Sequence, residues 1–281
     1  MPSWDEPLVQ AATKRVRLGV DARRRRLGAG SRLGAGPGAS LEFHDHRSYI
    51  AGDDLRHLDW SVYARTEQLM LRRHRQEVSP RVEVILDLSA SMAGAPAKLH
   101  LATAIAALLA TLAESDGTRP VVWCASDAPR RLPADWRPAL RGSACKGTSG
   151  LEARPAPVLG AGSERFIVSD GLCPGGGAAV VQAFGSGAGR IALVQVLTAW
   201  ERSPQAVGAA RLEDLEGGAG DVVLDEATCA AYRERLARHQ AGWQAALAGR
   251  GAGLVTCAVE DGFDRALTSM LRAGVLEPRS G

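Results

Sequence analysis

The stretch "RVEVILDLSASMAG", residues 81–94, decides the expected fold. Its first half is an apolar run rich in β-branched residues, which is typical of a strand covered on both faces. The run ends at Asp87, and two small hydroxyl side chains, Ser89 and Ser91, follow at alternate positions. A buried strand that ends in a carboxylate and two alcohols indicates a binding site at the edge of a sheet.

The chain beyond Pro80 alternates between strand-like and helix-like segments. The strand patterns cover residues 82–89, 120–126, 165–170, 191–198 and 252–259. The helical patterns cover residues 98–115, 177–184, 225–251 and 263–274. This alternation predicts an α/β fold with a doubly wound, mostly parallel sheet and helices on both faces. Residues 211–226 interrupt it as a predicted hairpin that turns at Gly217 and Gly218.

Two of the predicted strands end in an acid, Asp87 in the first and Asp170 in "FIVSDG". Ligands of open α/β sheets bind at the carboxyl ends of the strands, so the two carboxylates are expected to lie together. The serines lack the flanking glycines of a GxSxG elbow, and the chain has no GxxxxGK[ST] phosphate loop. A phosphoacceptor aspartate of the dehalogenase type requires a second acidic residue two positions later, and this chain has Ser89 at that position.

A hard divalent cation fits these side chains best. Mg²⁺ takes six oxygen ligands and gives up water reluctantly, so hydroxyls and carboxylates with some retained water suit it. We therefore expect Asp87, Ser89, Ser91 and Asp170 to bind Mg²⁺, or a similar cation such as Mn²⁺. Neutral hydroxyl ligands leave the ion short of negative charge, so a carboxylate from another protein can complete its shell. The alternative is that both serines only cap the helix after them.

The first 80 residues do not show the alternation of strand and helix patterns found beyond Pro80. Residues 8–26 are expected to form a short basic helix that glycines break at 28–40, so residues 1–41 are predicted to be a basic, partly flexible arm. In residues 42–79, an aspartate after Gly52 is expected to cap a helix, and residues 68–78 suit an edge strand or one arm of a hairpin. The arginines at 23–26 and 72–75 suit either a solvated face or nucleic-acid binding.

Composition and length indicate a soluble protein with one large domain and a smaller additional region. The chain has 281 residues, 46% of them hydrophobic, and a formal net charge of +3. No stretch has the roughly 18 uninterrupted apolar residues of a membrane span, and the start lacks a signal-peptide pattern. A cytoplasmic location is therefore expected. The five cysteines form no CxxC pair, which favours free thiols over disulfides or a zinc site.

The candidate site resembles the metal-ion-dependent adhesion site of the von Willebrand factor A fold. Asp87, Ser89 and Ser91 match its DxSxS loop, and Asp170 matches its acidic third loop. The resemblance implies a threonine ligand on a second loop. Thr148 in "CKGTSGL" is the candidate, and the neighbouring Ser149 is the alternative.

A second resemblance covers "EFHDHRSYIAGDDLRHLDWSVYARTEQLMLRRHRQE", residues 42–77. It is similar to the signature YxxGDDxRxxDW of the bacterial domain-of-unknown-function family fifty-eight. The matching residues are Tyr49, Gly52, Asp53, Asp54, Arg56, Asp59 and Trp60, followed by Ala64 and Arg65. The family implies a von Willebrand factor A-like domain at residues 80–276, a tail at 277–281, and a signature region at 42–79 that packs on that domain.

The family also implies a partner rather than a reaction. Its members are thought to act with MoxR-type AAA+ ATPases as metal-dependent adaptors in the assembly or activation of other proteins. The expected function is therefore a non-catalytic protein-interaction module. In the signature we expect Arg56, Asp59 and Arg65 to form a polar network over a packed Trp60. Two other functions stay open: a Mg²⁺-dependent phosphohydrolase, for which His100 is the base nearest in sequence, and nucleic-acid binding through the arginine clusters.

Overall fold

The computed structural model describes residues 4–19, 41–50, 58–76, 81–145, 147–148, 150–213, 215, 219–251 and 253–279. Its contacts divide the chain into two compact units. The first unit is Met1–Asp21 with Pro80–Gly281, and the second is Ala22–Ser79. A six-stranded sheet lies in the first unit and a two-stranded sheet in the second.

The described residues contain twelve strands. In chain order they are β1 Val16–Leu18, β2 Leu41–Ser48, β3 Met70–Gln76, β4 Val82–Asp87, β5 Val121–Ala125, β6 Arg130–Arg131, β7 Glu164–Ser169, β8 Arg190–Leu197, β9 Gly208–Glu213, β10 Ala219–Leu224, β11 Leu254–Ala258 and β12 Leu276–Pro278.

The same residues contain eight α-helices. They are α1 Glu6–Thr13, α2 Trp60–Thr66, α3 Pro96–Ser115, α4 Trp136–Arg141, α5 Gly176–Gly185, α6 Ala199–Arg202, α7 Glu226–Leu247 and α8 Gly262–Arg272. Three short 3₁₀ helices cover Ala90–Ala93, Gly150–Glu152 and Val259–Asp261.

The central sheet has the strand order β11-β8-β7-β4-β5-β6. All neighbouring strands are parallel except β5 and β6. The chain adds strands first on one side of β4 and then on the other, so the strand order reverses at β4. Such a reversal opens a crevice at the carboxyl ends of the strands. The predicted mixed α/β fold with a mostly parallel sheet is confirmed.

Helices cover both faces of this sheet because successive residues of a strand point to opposite sides. In β4, Val84 and Leu86 belong to an apolar cluster with α1, α3 and α8. Ile85, between them, belongs to a second cluster with α5 and α7. All six residues of β4 are buried, which explains why its sequence is almost continuously apolar.

Helix α3 is the most apolar helix of the first cluster. Among the described residues, it alone is long and apolar enough to cross a membrane by length and composition. Within the protein, however, 83% of that apolar window is buried. A buried core helix has the same length and composition as a membrane span, so these two properties do not distinguish them.

The start of the chain differs from the prediction of a loosely attached arm. Helix α1 ends at Thr13 instead of continuing to residue 26. Trp4 and Val9 are part of the buried core, and β1 pairs antiparallel with β12, with Val16 opposite Pro278. Long-range packing and pairing therefore hold both ends of the described chain, including Glu277 of the predicted tail. Arg23–Arg26 lie outside the described residues.

The predicted hairpin before α7 is present. β9 and β10 pair antiparallel, with Gly208 opposite Leu224 and Glu213 opposite Ala219. Its first strand begins three residues earlier than residue 211, the predicted start. Gly217 and Gly218, the predicted turn, lie outside the described residues.

In the second unit, β2 and β3 form an antiparallel pair with an irregularity between Phe43 and Asp45. Helix α2 begins at Trp60, and the Asp59 carboxylate caps it by accepting hydrogen bonds from the N–H groups of Ser61 (3.0 Å) and Val62 (3.2 Å). The sequence placed a helix start earlier and counted Leu58 as helical. Gly52, Asp53, Asp54 and Arg56 lie outside the described residues.

The packing expected for the signature differs from the structure in one respect. Trp60 is 62% exposed and contacts Tyr63 edge to face, with 6.2 Å between ring centroids. Leu58, two residues earlier, is the buried apolar side chain. The reason is that Asp59 acts as the helix cap, which leaves Trp60 at the first helical position. Arg65 donates from Nε to the Ser61 carbonyl at 3.1 Å.

Candidate functional site

Asp87 lies at the carboxyl end of β4, between two buried hydrogen-bond donors. Its Oδ1 accepts from the N–H of Ser89 at 2.9 Å, and its Oδ2 accepts from the Ser169 hydroxyl at 2.6 Å. Because β4 and β7 are parallel neighbours, Ser169 ends its strand beside Asp87. The carboxylate is therefore held in one orientation, with 4% of the residue exposed.

The two serine hydroxyls of the first loop lie beside each other, with Ser89 Oγ 3.1 Å from Ser91 Oγ. Ser89 occupies the N-cap position of the short helix Ala90–Ala93, but its side chain makes no cap hydrogen bond. Helix α3 starts later, after Ala95. The structure therefore contradicts the alternative in which both serines only cap the helix after them.

Asp170 follows β7 directly and is buried. Its Oδ1 accepts from the N–H of Leu172 at 3.0 Å, and the amide side chain of Gln195 donates to its main-chain carbonyl at 2.8 Å. Its Oδ2 forms an ion pair with Lys98 Nζ at 2.9 Å. Both oxygens of this carboxylate are thus held by a partner, and the main chain of Asp170 is held by Gln195.

Lys98 connects the first loop to the third. Its Nζ donates to the Ser91 carbonyl at 3.1 Å and to Asp170 Oδ2 at 2.9 Å, so these two oxygens lie at most 6.0 Å apart. It also pairs with Glu201 Oε1 at 2.5 Å. Asp87, Ser91 and Asp170 are therefore gathered in the crevice where the strand order reverses.

Thr148 lies on a second loop. The residues on either side of Thr148 in this loop approach the first loop, residues 87–91. The N–H of Ala90 donates to the Gly147 carbonyl at 3.0 Å. A Cβ on Gly150 would lie 2.8 Å from Asp87 Oδ1, so the backbone approaches the carboxylate closely there. Thr148 itself is exposed, and its N–H donates to Asp127 Oδ1 at 2.9 Å. Ser149 lies outside the described residues.

The charges of the site act on one another. Burial and then repulsion from Asp170 raise the pKa of Asp87 to about 6, against the hydrogen bonds from Ser169 and Ser89 that lower it. Burial alone would lower the pKa of Lys98, but the carboxylates of Asp170 and Glu201 outweigh it and raise that pKa. Without a cation, the region near Asp87 therefore carries more negative charge than its surroundings stabilise.

Three residues of the site were missed by sequence reasoning: Lys98, Ser169 and Glu201. Lys98 is 72 residues from Asp170 and 103 from Glu201, so no local spacing connects them. One signal was available: Lys98 is the one basic residue that the predicted helix 98–115 contains besides His100.

His100 is directed away from the site, whereas Cys145 and Cys173 are close enough to Asp87 and Asp170 for those charges to act on their thiols. His100 is exposed, and two residues correspond to about 200° around a helix, so it lies on a different side of α3 from buried Lys98. All five cysteines are free, as expected. Burial raises the pKa of Cys145 to about 11 and that of Cys173 to about 12, so both thiols stay protonated at neutral pH.

Metal-ligand clusters of the common kind do not occur in the described part of the chain. No three His, Cys, Asp or Glu side chains are grouped there so that they could hold an ion. A metal at the carboxyl ends of β4 and β7 would have to use the hydroxyls of Ser89 and Ser91 beside the two aspartates.

Comparison with known proteins gives a family match and relatives for part of the chain. Residues 45–145, about a third of the chain, match the family described as "Protein of unknown function DUF58". The uncharacterized proteins Mb1516 of Mycobacterium bovis and Rv1480 of Mycobacterium tuberculosis are 33% identical over 118 residues. That match covers 41% of this chain and 37% of the length of these relatives.

The chain is also similar to a solved structure, an aerotolerance-related membrane protein from Bacteroides fragilis NCTC 9343 with multiple mutations to serines. The TM-score is 0.35 at 14% identity, and the match covers 70% of this chain and 98% of that one. The signature residues Tyr49 to Arg65 lie within residues 45–145, the segment that matches this family.

Proposed function

We propose that this protein is a non-catalytic, divalent-metal-dependent interaction module with a von Willebrand factor A-like fold. The observation that carries the proposal is the gathering of Asp87, Ser89, Ser91 and Asp170 at the carboxyl ends of two neighbouring parallel strands. Thr148 is the proposed second-loop ligand, because its loop contacts the first loop through Gly147.

The chemistry of the donor set supports a hard cation such as Mg²⁺ or Mn²⁺. The two serine hydroxyls are adjacent and are not used as helix caps. Burial and then repulsion from Asp170 raise the pKa of Asp87, and a divalent cation would relieve that repulsion. Hard cations bind hydroxyl and carboxylate oxygens and keep several waters.

Each residue has a proposed task in holding the ion. Ser89 and Ser91 would supply hydroxyl oxygens, and Asp170 would supply a carboxylate oxygen. Asp87 would bind directly or orient a retained water, since Ser169 and the Ser89 N–H already fix its direction. The ion would supply electrostatic attraction for a carboxylate of another protein. In this role the metal recognises a partner and no bond is broken.

The partner class rests on the family resemblance. We propose that the protein works as an adaptor with a MoxR-type AAA+ ATPase in the assembly or activation of a client protein that provides the acidic residue. A cytoplasmic location is part of this proposal, and the free thiols suit a reducing compartment. Purified ATPase encoded by the same genome should bind in Mg²⁺ and dissociate in EDTA.

The phosphohydrolase alternative receives less support, because it needs a general base within reach of the substrate. The candidate base, His100, is exposed on a different side of α3 from the buried Lys98. Nucleic-acid binding was tied to the two arginine clusters. Arg23–Arg26 lie outside the described residues, and residues 72–75 lie on β3.

Thermal unfolding with and without Mg²⁺ tests the metal site. A cation that binds only the folded state raises the melting temperature by an amount that grows with the logarithm of its concentration relative to its Kd. We expect Mg²⁺ to raise the melting temperature of the wild type and not that of Asp87→Asn or Ser91→Ala. Asp87→Asn keeps the shape of the buried side chain, so its unfolding transition remains measurable.

Asp116→Asn is the matched control. Asp116 caps the far end of the 20-residue helix α3, roughly 30 Å from the first loop. This variant should respond to Mg²⁺ like the wild type. Equal responses of the wild type, Asp87→Asn and Asp116→Asn would remove the metal site and the function built on it.

A further inference from the structure

Lys98 is a buried ammonium whose three acceptors come from three different segments. They are the Ser91 carbonyl of the first loop, Asp170 Oδ2 at the end of β7, and Glu201 Oε1 on α6. An ammonium has three N–H donors, so each donor has one partner. The side chain is 0% exposed, and the lysine is therefore a fixed positive charge next to the proposed metal ligands.

The position is an unfavourable one for a structural lysine. Lys98 lies in the first turn of α3, where the helix dipole is positive and disfavours a cation. A buried charge also loses its hydration, and a methionine of similar length would pack in the same volume. The carboxylates of Asp170 and Glu201 offset these costs, so the charge of Lys98 depends on its two acidic neighbours.

The charges around Lys98 decide what the loaded site can attract. Asp87, Asp170 and Glu201 bring three negative charges, and Lys98 brings one positive charge. The cluster therefore has a net charge of minus two, which a divalent cation neutralises. Without Lys98 the loaded site would keep a net charge of minus one and would repel an acidic side chain.

We infer that Lys98 is the residue that makes the loaded metal site accept a carboxylate from a partner protein. This inference rests on the proposed metal-dependent function and deepens it. Lys98 neutralises one of the three carboxylates and holds Asp170 Oδ2 in an ion pair. The serine hydroxyls remain neutral ligands. The site thus binds its ion less tightly than three free carboxylates would, and in return the ion keeps its attraction for an external acid.

The inference predicts opposite changes in two affinities. Lys98→Met should tighten the binding of Mn²⁺ and weaken the binding of acetate to the Mn²⁺-loaded protein, each by about tenfold. Glu201→Gln should do the reverse by a similar factor. A purely structural role of Lys98 would instead weaken both affinities together, since a loosened site holds neither ligand well.

Mn²⁺ titration followed by EPR gives the first affinity, and acetate displacement of Mn²⁺-bound water, followed by proton relaxation, gives the second. The double variant Lys98→Met with Glu201→Gln restores the net charge, so its acetate affinity should return close to that of the wild type. Arg279→Met, which removes a positive charge that pairs with Asp116 at the far end of α3, is the control and should change neither affinity.

The outcomes distinguish a failure of this inference from a failure of the proposed metal-dependent function. If the wild type binds no Mn²⁺, the metal site and the role of Lys98 both fall. If Mn²⁺ binds but acetate affinity does not follow the charge series, only the role of Lys98 is overturned. If Lys98→Met does not fold, Glu201→Gln decides: tighter acetate with weaker Mn²⁺ supports the inference, and any other result contradicts it.

Discussion

The central sheet has a buried ion-pair cluster at each end of β4 and β7, and the two clusters are built differently. At the start of the strands, Glu83 pairs with Arg165 at 3.2 Å. At the other end, Lys98 pairs with Asp170, and the Ser169 hydroxyl donates to Asp87. Both clusters are almost fully buried.

The starting cluster is fully compensated. Arg165 donates to Glu83, to the Ser163 hydroxyl and to the carbonyls of Gly160 and Ser186. Glu83 also accepts from the Gly160 N–H and the Ser163 hydroxyl, so one positive and one negative charge share a complete set of partners. This arrangement is typical of a structural network.

The cluster at the carboxyl ends has more negative than positive charge, and its two serine hydroxyls contact each other. The comparison teaches that burial of charge alone does not mark a site. The excess of negative charge beside two serine hydroxyls distinguishes the carboxyl ends from the compensated cluster. The following experiments address this difference between the two ends of the same strands.

The largest expected effect is at the compensated end. Arg165→Met leaves Glu83 buried without its charge partner, which should lower the free energy of unfolding by about 3–5 kcal/mol. Chemical denaturation measures this loss. The increase in stability that Mg²⁺ provides should stay as in the wild type. A loss of that increase would mean that the two ends are one coupled network.

The next effect is a pH dependence at the uncompensated end, measured in EDTA. The pKa of Asp87 is raised to about 6, so the folded state holds this proton more tightly than the unfolded state. Its contribution to stability is fully present below the unfolded pKa and is lost as the pH rises through about 6. Asp87→Asn removes this loss and should be more stable than the wild type at pH 7.5, by on the order of 3 kcal/mol.

Denaturation curves at pH 4.5 and pH 7.5 provide the check. The stability difference between the wild type and Asp87→Asn should grow between these pH values in EDTA, and saturating Mg²⁺ should reduce it. A difference that is independent of pH would show that the carboxylate is already compensated without a cation.

The smallest effect concerns the loop that covers Asp87. Gly150 has φ +43°, and an added Cβ would lie 2.8 Å from Asp87 Oδ1. Gly150→Ala should cost about 2 kcal/mol and weaken the Mg²⁺ response, because the backbone must move away from the carboxylate. Gly117→Ala is the matched control, since Gly117 has φ +74° with open space around its Cα.

Gly117→Ala should cost about 1 kcal/mol from backbone strain alone and leave the Mg²⁺ response unchanged. Thermal unfolding of both variants, with and without Mg²⁺, separates strain from the contact with the carboxylate. An equal Mg²⁺ response in both variants would exclude the loop of Thr148 from the site.

Sequence patterns were sufficient for elements whose surroundings are uniform. The continuous apolar run that forms β4 predicts a strand buried on both faces, and it is one. The helix predicted at residues 98–115 is α3, Pro96–Ser115. Patterns failed where a residue's role depends on distant partners. Trp60 is exposed because Asp59 caps its helix, and the expected helix through residue 26 ends at Thr13, before β1 pairs with β12.

The sequence by itself determined the type of sheet and the acids at the strand ends, because parallel strands need apolar residues on both faces and leave polar residues only where the strand stops. Only the tertiary structure decided the charge of the site. Lys98 contacts Asp170, 72 residues away in the chain, and Glu201, 103 residues away. Electrostatic attraction acts over ångströms in space and leaves no period in the sequence, so folding alone brings these charges together.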